Sequence, residues 1–262
     1  MSITEKQKAI IIGSVLGDGG IYFANKSPRA YYMVKQSLRF SEYVEWLFSQ
    51  LKNLCPSEIK QRKDNGQKYF YTSPNENFTI LQKLFYQNKI KIVPKNIEEI
   101  LRSPLSLAVW FMDDGTLDFR PKDHCAFHLC TNCFTKEDTQ RLIETLKDNF
   151  GIESSLHYTL WRGKRHARIY IGSKGRDRFI QLISPYILDC FKYKLPQFRH
   201  TPQRLDSSES DSKFLLTITR WAPAYTQDDD IVQLSGSILY ICQEASSSGN
   251  TRTPSVIRNH WA

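Results

Sequence analysis

The sequence predicts an α+β protein of two pseudo-symmetric halves, and three observations lead to this prediction. An apolar helical segment that ends in an acid between glycines, Ile11–Gly19, returns in altered form at Leu107–Gly115. Each copy is followed by two strands, a helix, two strands and a helix, which gives αββαββα in each half. Each half then reaches a lysine, Lys91 or Lys194, that is followed within three residues by proline. Internal repetition of this kind predicts a pseudo-twofold molecule.

The first half begins with a helix whose two ends are marked in the sequence. Thr4 and Gln7 have capping-box spacing, so the helix is expected to start near Glu5. It is expected to stop at the glycines around Asp18, which permit the left-handed turn that ends helices. The other elements predicted for this half are strands at 21–24 and 31–38, a helix at 41–53, a hairpin of 59–63 with 68–72, and a helix at 77–88.

The second half opens with Ser103 as a helix cap and Pro104 at the first helical position. That helix carries the second copy of the motif. The elements predicted after it are strands at 116–120 and 125–131, a helix at 135–149, a hairpin of 152–160 with 166–171, and a helix at 176–188. We therefore divide the chain into a first half at 1–98, a second half at 99–200, and a poorly ordered acidic tail at 201–262.

The bulk composition indicates a globular protein with a polyanionic partner. Of 262 residues, 40% are hydrophobic and 13% aromatic, which is typical of folded domains. The net charge is +9, but residues 205–262 hold four basic and seven acidic residues, so residues 1–204 alone carry +12. Nucleic acid is the commonest polyanion that binds such a basic protein. No apolar run approaches the roughly 18 residues needed to span a membrane, so no membrane partner is expected.

When the two motif copies are overlaid, Asp18 falls on Asp114, and Gly13 falls on Val109. Each acid lies at the C-terminal end of its helix, where the helix dipole is already negative, so a cation is expected beside it. Gly13 and Gly17 lie on one face of the first helix, where another backbone can approach closely. Val109 is bulkier than a close helix contact would favour.

With these two motifs, at Gly13–Gly19 and Ala108–Thr116, the chain resembles the LAGLIDADG homing endonucleases. It is similar to the single-chain kind with two motifs, and Pro185–Ile187 and Tyr193–Pro196 are similar to its intron-encoded branch. The resemblance covers roughly residues 5–200. It implies that the two motif helices pack side by side, and that each half forms a curved, four-stranded antiparallel sheet. The two sheets would form a saddle over the DNA major groove.

The resemblance also implies the chemistry of the site. Asp18 and Asp114 would hold Mg²⁺ (or Mn²⁺) and cut one strand each, while Lys91 and Lys194 assist. The backbone carbonyls of Gly17 and Asp113 would also reach metal. Phosphodiester hydrolysis needs a metal to activate water and to stabilise the leaving oxygen, and Mg²⁺ takes hard oxygen ligands with few from protein. Asp113 duplicates the acid, so it is either a competing ligand or a group at the helix end.

DNA readout is expected from basic, aromatic and amide side chains on the predicted strands and their loops, since such groups contact phosphates and base edges. In the first half these are Tyr22, Lys26, Arg29, Lys35, Lys60, Arg62, Lys68 and Tyr69. In the second half they are Arg120, Lys122, His128, Asn132, Trp161, Arg162, Arg165 and Arg168. Each of these residues taken alone could equally be an ordinary solvated surface residue.

Three other motifs have weaker interpretations. Cys125, Cys130 and Cys133 have the spacing of part of an iron–sulfur site, but a strand would turn Cys130 away from the other two. Ordinary reduced thiols are the better interpretation. His157 and His166 lack neighbouring cysteines, so a zinc site is not favoured. The glycines near Asp18 end a helix rather than begin one, which excludes a phosphate-binding loop.

The predicted function is therefore a metal-dependent endonuclease that cuts one long, asymmetric double-stranded DNA site as a monomer and promotes intron homing. Two alternatives share the same fold. One is a maturase that binds its own intron RNA, and the other is a DNA-binding module without activity. Retention of both acids and both lysines favours the enzyme, because binding alone needs no acids under a phosphate. From the resemblance, the expected location is an organelle matrix (mitochondrion or plastid) or the bacterial cytoplasm.

Overall fold

A computed structural model of the chain describes residues 2–25, 27–161 and 163–198, with Trp161 described by its backbone alone. It contains the two predicted αββαββα halves. The first half comprises α1 (Glu5–Leu16), β1 (Gly20–Phe23), β2 (Ala30–Gln36), α2 (Ser41–Leu51), β3 (Lys60–Gln61), β4 (Lys68–Tyr71) and α3 (Glu76–Phe85). After a connection, the second half comprises α5 (Pro104–Asp114), β7 (Gly115–Arg120), β8 (His124–Cys130), α6 (Lys136–Phe150), β9 (Ser155–Trp161), β10 (Lys164–Ile171) and α7 (Ser173–Ile183).

The connection between the halves holds two elements that sequence patterns did not reveal. These are a short hairpin of β5 (Tyr86–Gln87) with β6 (Ile90–Lys91), and the single-turn helix α4 (Ile97–Ile100). The helix predicted over 77–88 ends at Phe85, because the backbone becomes extended at Tyr86. The predicted division between residues 98 and 99 falls inside α4, and the predicted tail at 201–262 lies outside the described residues.

Local sequence signals set the helix ends. The Thr4 hydroxyl accepts from the Gln7 backbone N–H (3.2 Å), and the Gln7 side chain accepts from the Thr4 backbone N–H (3.1 Å), which completes the predicted capping box. Ser103 caps α5 ahead of Pro104. Gly151 ends α6 with φ 67°, a left-handed conformation that favours glycine.

The two sheets have the same topology. Their strand orders are β1-β2-β4-β3 and β7-β8-β10-β9, with antiparallel pairing throughout. Alternate residues on the strands are buried beneath the helices, because side chains alternate between the faces of a strand. In the first sheet the buried set includes Tyr32, Val34 and Phe70. The other face of each sheet carries partly exposed side chains, and we call it the open face.

Helices α1 and α5 pack against each other along a seam between the halves. A Cβ built on Gly13 would overlap the Ser106 carbonyl and crowd Val109, so the glycine leaves the room that Val109 fills. The Ser106 hydroxyl donates to the Ala9 carbonyl (2.7 Å) across the seam. The bulk of Val109 is therefore accommodated by the absence of a side chain at Gly13. This close contact fixes the relative position of the two helix ends.

Candidate functional site

Asp18 and Asp114 lie at the C-terminal ends of the two seam helices. Asp18 follows the C-cap Gly17 of α1, and Asp114 is the last residue of α5. The strands β1 and β7 begin within two residues of these acids, so each acid lies where a helix passes into a sheet. The repeat in the sequence thus places one carboxylate of each half at the same end of the seam.

The two predicted lysines bind these helix ends. Lys91 Nζ donates to the carbonyls of Gly17 (2.9 Å) and Gly19 (3.0 Å). Lys194 Nζ donates to the carbonyls of Phe111 (3.3 Å) and Met112 (2.7 Å). Each ammonium group therefore offsets the negative end of a helix dipole in its own half, as a carboxylate at that position requires.

Gln36 is a site residue that the sequence patterns did not reveal. It ends β2 and is buried, and its Nε2 donates to Asp18 Oδ2 (2.7 Å). Burial raises the pKa of Asp18, against the hydrogen bond from Gln36 and the charges of Lys91 and Lys194. The one available signal was a polar residue in the inward-facing register of Tyr32 and Val34.

The second half has no equivalent of this glutamine. Val34 of the first half corresponds to Leu129 of the second half, because each pairs with the matching strand of its own sheet, at Phe70 and Ile169. Two residues further along the chain, Thr131 therefore takes the position that Gln36 has in the first half. The Thr131 hydroxyl donates instead to the Ala167 carbonyl (2.8 Å). The two acids therefore have different surroundings, despite the matched helices and lysines.

Asp113 lies in the seam between the two helices and is as buried as Asp18. Its Oδ2 accepts from the backbone N–H of Asp18 (3.2 Å), and its side chain occupies the space that a Cβ on Gly17 would need. Its Oδ1 has no hydrogen-bond partner of good geometry in the described part of the chain, although the Tyr43 hydroxyl interacts with the carboxyl. Burial, with the charges of Asp18 and Asp114, raises the pKa of Asp113 well above its ordinary value.

Lys194 is the more buried of the two lysines. Its ammonium group lies 5.0 Å from the Phe191 ring centroid and 5.7 Å from that of Phe111. Burial lowers the pKa of Lys194 to about 8, against the negative charges of Asp113, Asp114 and Asp18. Lys91 is only partly buried and reaches the site from the β5–β6 hairpin, so the halves present their lysines differently.

The donor set suits a metal that needs few protein ligands. Within residues 2–25, 27–161 and 163–198, no three His, Cys, Asp or Glu side chains are grouped to hold a metal ion by themselves. Mg²⁺ usually keeps several waters and takes only one or two carboxylates together with substrate phosphates. Two carboxylates at adjoining helix ends match that requirement, whereas a closed structural metal site would need more ligands.

The open face of the first sheet holds four of the eight residues predicted for DNA contact there. They are Tyr22, Lys35, Lys60 and Tyr69, whose cross-strand partners share that face. Lys68 precedes Tyr69 on β4, so its side chain points to the helix-covered face instead of the open face. There it forms an ion pair with Glu45 (2.8 Å) on α2. Arg62 pairs with Asp64 (2.6 Å) in the β3–β4 turn, Arg29 is exposed before β2, and Lys26 lies outside the described residues.

In the second half, Arg120, His128 and Arg168 lie on the open face, while Lys122 and Asn132 are exposed in the loops beside it. Arg165 is on the opposite face, with its guanidinium 4.6 Å from the Tyr158 ring centroid. The predictions for Arg162 and for the Trp161 side chain lie outside the described residues. His128 is buried beside Tyr170, with ring centroids 5.2 Å apart.

Cys130 shares the open face with Arg168, whereas Cys125 pairs with Phe119 in the alternate register. The two thiols therefore face opposite sides of the strand as predicted, whereas Cys133 lies beyond the end of β8 and not on the strand as expected. None of the cysteines in the described ranges forms a disulfide, and no helix there is long and apolar enough to cross a membrane.

Comparison with known proteins agrees with this geometry. Residues 8–179 match the LAGLIDADG DNA endonuclease family. The chain is 31% identical over 215 residues to DNA endonuclease I-ChuI of Chlamydomonas applanata, an alignment that covers 74% of this chain and 96% of that protein. It is 28% identical over 209 residues to the cytochrome b mRNA maturase bI2 of Saccharomyces cerevisiae, covering 72% of this chain and 47% of that protein.

Among solved structures, the fold is similar to the homing endonuclease I-WcaI bound to its DNA recognition sequence. The TM-score is 0.64 at 26% sequence identity, and the match covers 74% of this chain and 88% of that one. The family match extends across both motif helices and both sheets. The chain therefore belongs to the LAGLIDADG DNA endonuclease family, as a single-chain member that carries two copies of the motif.

Proposed function

We propose that this chain cuts one long, asymmetric DNA site with Mg²⁺ or Mn²⁺, and that Asp18 and Asp114 are the metal-binding acids, one for each strand. The observation that carries the proposal is the pair of carboxylates at adjoining helix ends, each with a lysine bound to the carbonyls of its own helix end. Membership of a DNA endonuclease family supports the same substrate and reaction.

The residues have separate roles in this proposal. Asp18 and Asp114 would hold the metal, which would supply activation of a water and stabilisation of the leaving oxygen. Gln36 fixes the orientation of the Asp18 carboxylate through its 2.7 Å hydrogen bond. Lys91 and Lys194 keep positive charge at the helix ends, where it favours the approach of a phosphate. Asp113 acts as a seam residue, since its carboxyl is directed at the backbone of Asp18.

Single substitutions test the assignment of one acid to each strand. The substrate is a supercoiled plasmid that carries the intronless host site, in which the sequences on either side of the intron are joined. It is incubated with Mg²⁺. Asp18→Asn and Asp114→Asn should each convert the linear product into a nicked circle, with opposite strands cut, and the double variant should cut neither strand. Binding should persist, because asparagine keeps the shape of the side chain. Removal of the metal with EDTA should stop all cutting.

Asp113→Asn is the matched control, because it changes the adjacent carboxyl and keeps an oxygen to accept from the Asp18 N–H. It should still produce linear DNA. Loss of cleavage in Asp113→Asn, together with linear product from Asp114→Asn, would show that the wrong acid had been chosen.

RNA splicing is the second candidate, because one of the relatives is named as an mRNA maturase. The same preparation should be tested for binding to its own intron RNA and for promotion of splicing. Specific RNA binding without plasmid cleavage under any metal would replace the endonuclease proposal with the maturase.

A further inference from the structure

The open face of the first sheet is dominated by aromatic rings. Tyr22 on β1, Tyr31 on β2 and Tyr71 on β4 form a row across three strands, which we call the tyrosine row. The ring centroids of Tyr22 and Tyr31 are 6.0 Å apart, and those of Tyr31 and Tyr71 are 6.1 Å apart. Met33 shares this face, since it pairs with Gly20 on one side and with Tyr71 on the other. All four side chains are partly exposed.

Neighbouring residues hold the ends of the row in place. A Cβ on Gly20 would overlap the Tyr22 ring, so this ring lies back along its own strand instead of standing away from the sheet. At the other end, Lys60 Nζ donates to the Tyr71 hydroxyl (3.1 Å) and lies 5.0 Å from its ring centroid. The result is a row of adjoining aromatic rings bordered by a lysine.

The open face of the second sheet has a different chemistry. Arg120, Arg168 and His157 lie on it, and the Tyr170 ring is stacked on His157, with centroids 4.2 Å apart. Cationic and imidazole groups of this kind donate hydrogen bonds to base edges, and arginine is best suited to guanine. The tyrosine row offers apolar contact instead. In the major groove the matching apolar group is the thymine 5-methyl.

We propose that the tyrosine row recognises thymine methyl groups, so that the enzyme distinguishes thymine from uracil in the half of its target that lies under the first sheet. The inference rests on the proposed function, because it takes the open face as the DNA-contacting surface. The two 6 Å steps of the row span about three base-pair steps of roughly 3.4 Å, so two or three methyl groups can be contacted.

The test uses the cleavage target of the plasmid experiment as a synthetic duplex. In one duplex every thymine of the left half is replaced by deoxyuridine, and in another every thymine of the right half. Base pairing is unchanged, and only the methyl groups are lost. One half should be sensitive, with cleavage at limiting enzyme about fourfold weaker for each contacted methyl, as expected from the burial energy of one such group. The duplex with deoxyuridine in the other half should be cut as efficiently as the native duplex.

Variants connect the sensitive half to the tyrosine row. Tyr31→Ala should cut the native duplex less well and lose the difference between thymine and deoxyuridine. Tyr31→Phe, which keeps the ring, should retain that difference. Tyr158→Ala is the matched control, because Tyr158 is an exposed tyrosine on the opposite face of the second sheet, and it should behave as wild type. Thermal unfolding of each variant checks that it is folded.

The outcomes separate the two proposals. Failure to cut or bind the native duplex overturns the proposed function. If the native duplex is cut, three results overturn the methyl inference alone. These are equal cutting of all three duplexes, equal sensitivity in both halves, and a folded Tyr31→Ala variant that keeps the thymine preference.

Discussion

His128 is a side chain on the open face that makes the folding stability of the protein depend on pH. It is buried beside Tyr170, and its Nδ1 has no hydrogen-bond partner within the described part of the chain. Burial, followed by the positive charge of Arg168, lowers the pKa of His128 from 6.5 to about 4. The titratable groups that face it are Arg168, Asp118, His157 and His124.

The consequence for stability follows from the sign of this shift. Between pH 6.5 and pH 4 the unfolded chain binds a proton at His128 and the folded chain does not, so stability falls as the pH falls through this window. His128→Gln should remove about 1–2 kcal/mol of the acid destabilisation between pH 7 and pH 5. Urea unfolding of the wild type and of His128→Gln at pH 7 and pH 5 gives the change in unfolding free energy of each protein. Subtracting the two changes removes the contribution of all other titrating groups. An identical pH dependence would contradict the prediction.

Single residues also mark where sequence patterns stop being informative. Asp18 and Asp114 could be nominated because each ends a repeated apolar segment. Gln36 could not, because its role depends on a hydrogen bond to Asp18 between separate elements. A polar residue in the inward register of a strand was the only local indication, and buried polar residues also occur in strands that have no part in catalysis.

At the scale of elements, strand alternation decides which basic residues can reach DNA. Lys35 and Lys68 lie on neighbouring strands. In the strand register Lys35 lies opposite Tyr69 on the open face, whereas Lys68 lies opposite Gln36 on the helix-covered face. Lys35→Gln should reduce the slope of log affinity against log salt by about 1, as expected for the loss of one phosphate contact. Lys68→Gln should leave the slope unchanged, since its partner is Glu45.

DNA binding measured across a salt series, with a duplex that contains the target, tests this pair of variants. Stability should change little in Lys68→Gln, because its ion pair with Glu45 is partly open to solvent and such pairs contribute about 0–1 kcal/mol. Equal slopes for the two variants would show that the open face is not the DNA-contacting surface.

The β5–β6 hairpin shows why element boundaries were harder to predict than element order. Apolar periodicity favoured a helix through residue 88, but Asn88 and Lys89 adopt positive φ values of 49° and 66°, which end any helix. Contacts distant in sequence explain this conformation. The Ile21 backbone N–H donates to the Tyr86 hydroxyl (3.2 Å), and Lys91 reaches the carbonyls beside Asp18. Local propensity does not contain these contacts.

At the scale of the whole molecule, the repeat predicted two matched halves but not their differences. Matched spacing of apolar segments, acids and lysines could be read along the chain, and the family resemblance implied the seam of α1 and α5. The differences arise from packing. Gln36 holds Asp18 whereas Thr131 turns to the Ala167 carbonyl, and the first open face carries the tyrosine row whereas the second carries arginine and histidine side chains. An asymmetric molecule of this kind suits an asymmetric DNA site.

Because one chain supplies both acids, it should cut both strands as a monomer of 30.6 kDa. A mixing experiment tests this prediction. Wild-type protein is combined with a tenfold excess of the Asp18→Asn/Asp114→Asn double variant, with plasmid in excess over total protein. Monomers act independently, so the wild-type rate and its linear product should not change.

If two chains had to associate, with each cutting one strand, most wild-type chains would be paired with an inactive partner. Nicked circles would then accumulate in proportion to the added variant. The ratio of linear to nicked DNA therefore reports directly whether the seam within one chain is sufficient for a double-strand break. Sedimentation of the protein–DNA complex provides a second measurement, in which the monomer prediction requires one chain for each duplex.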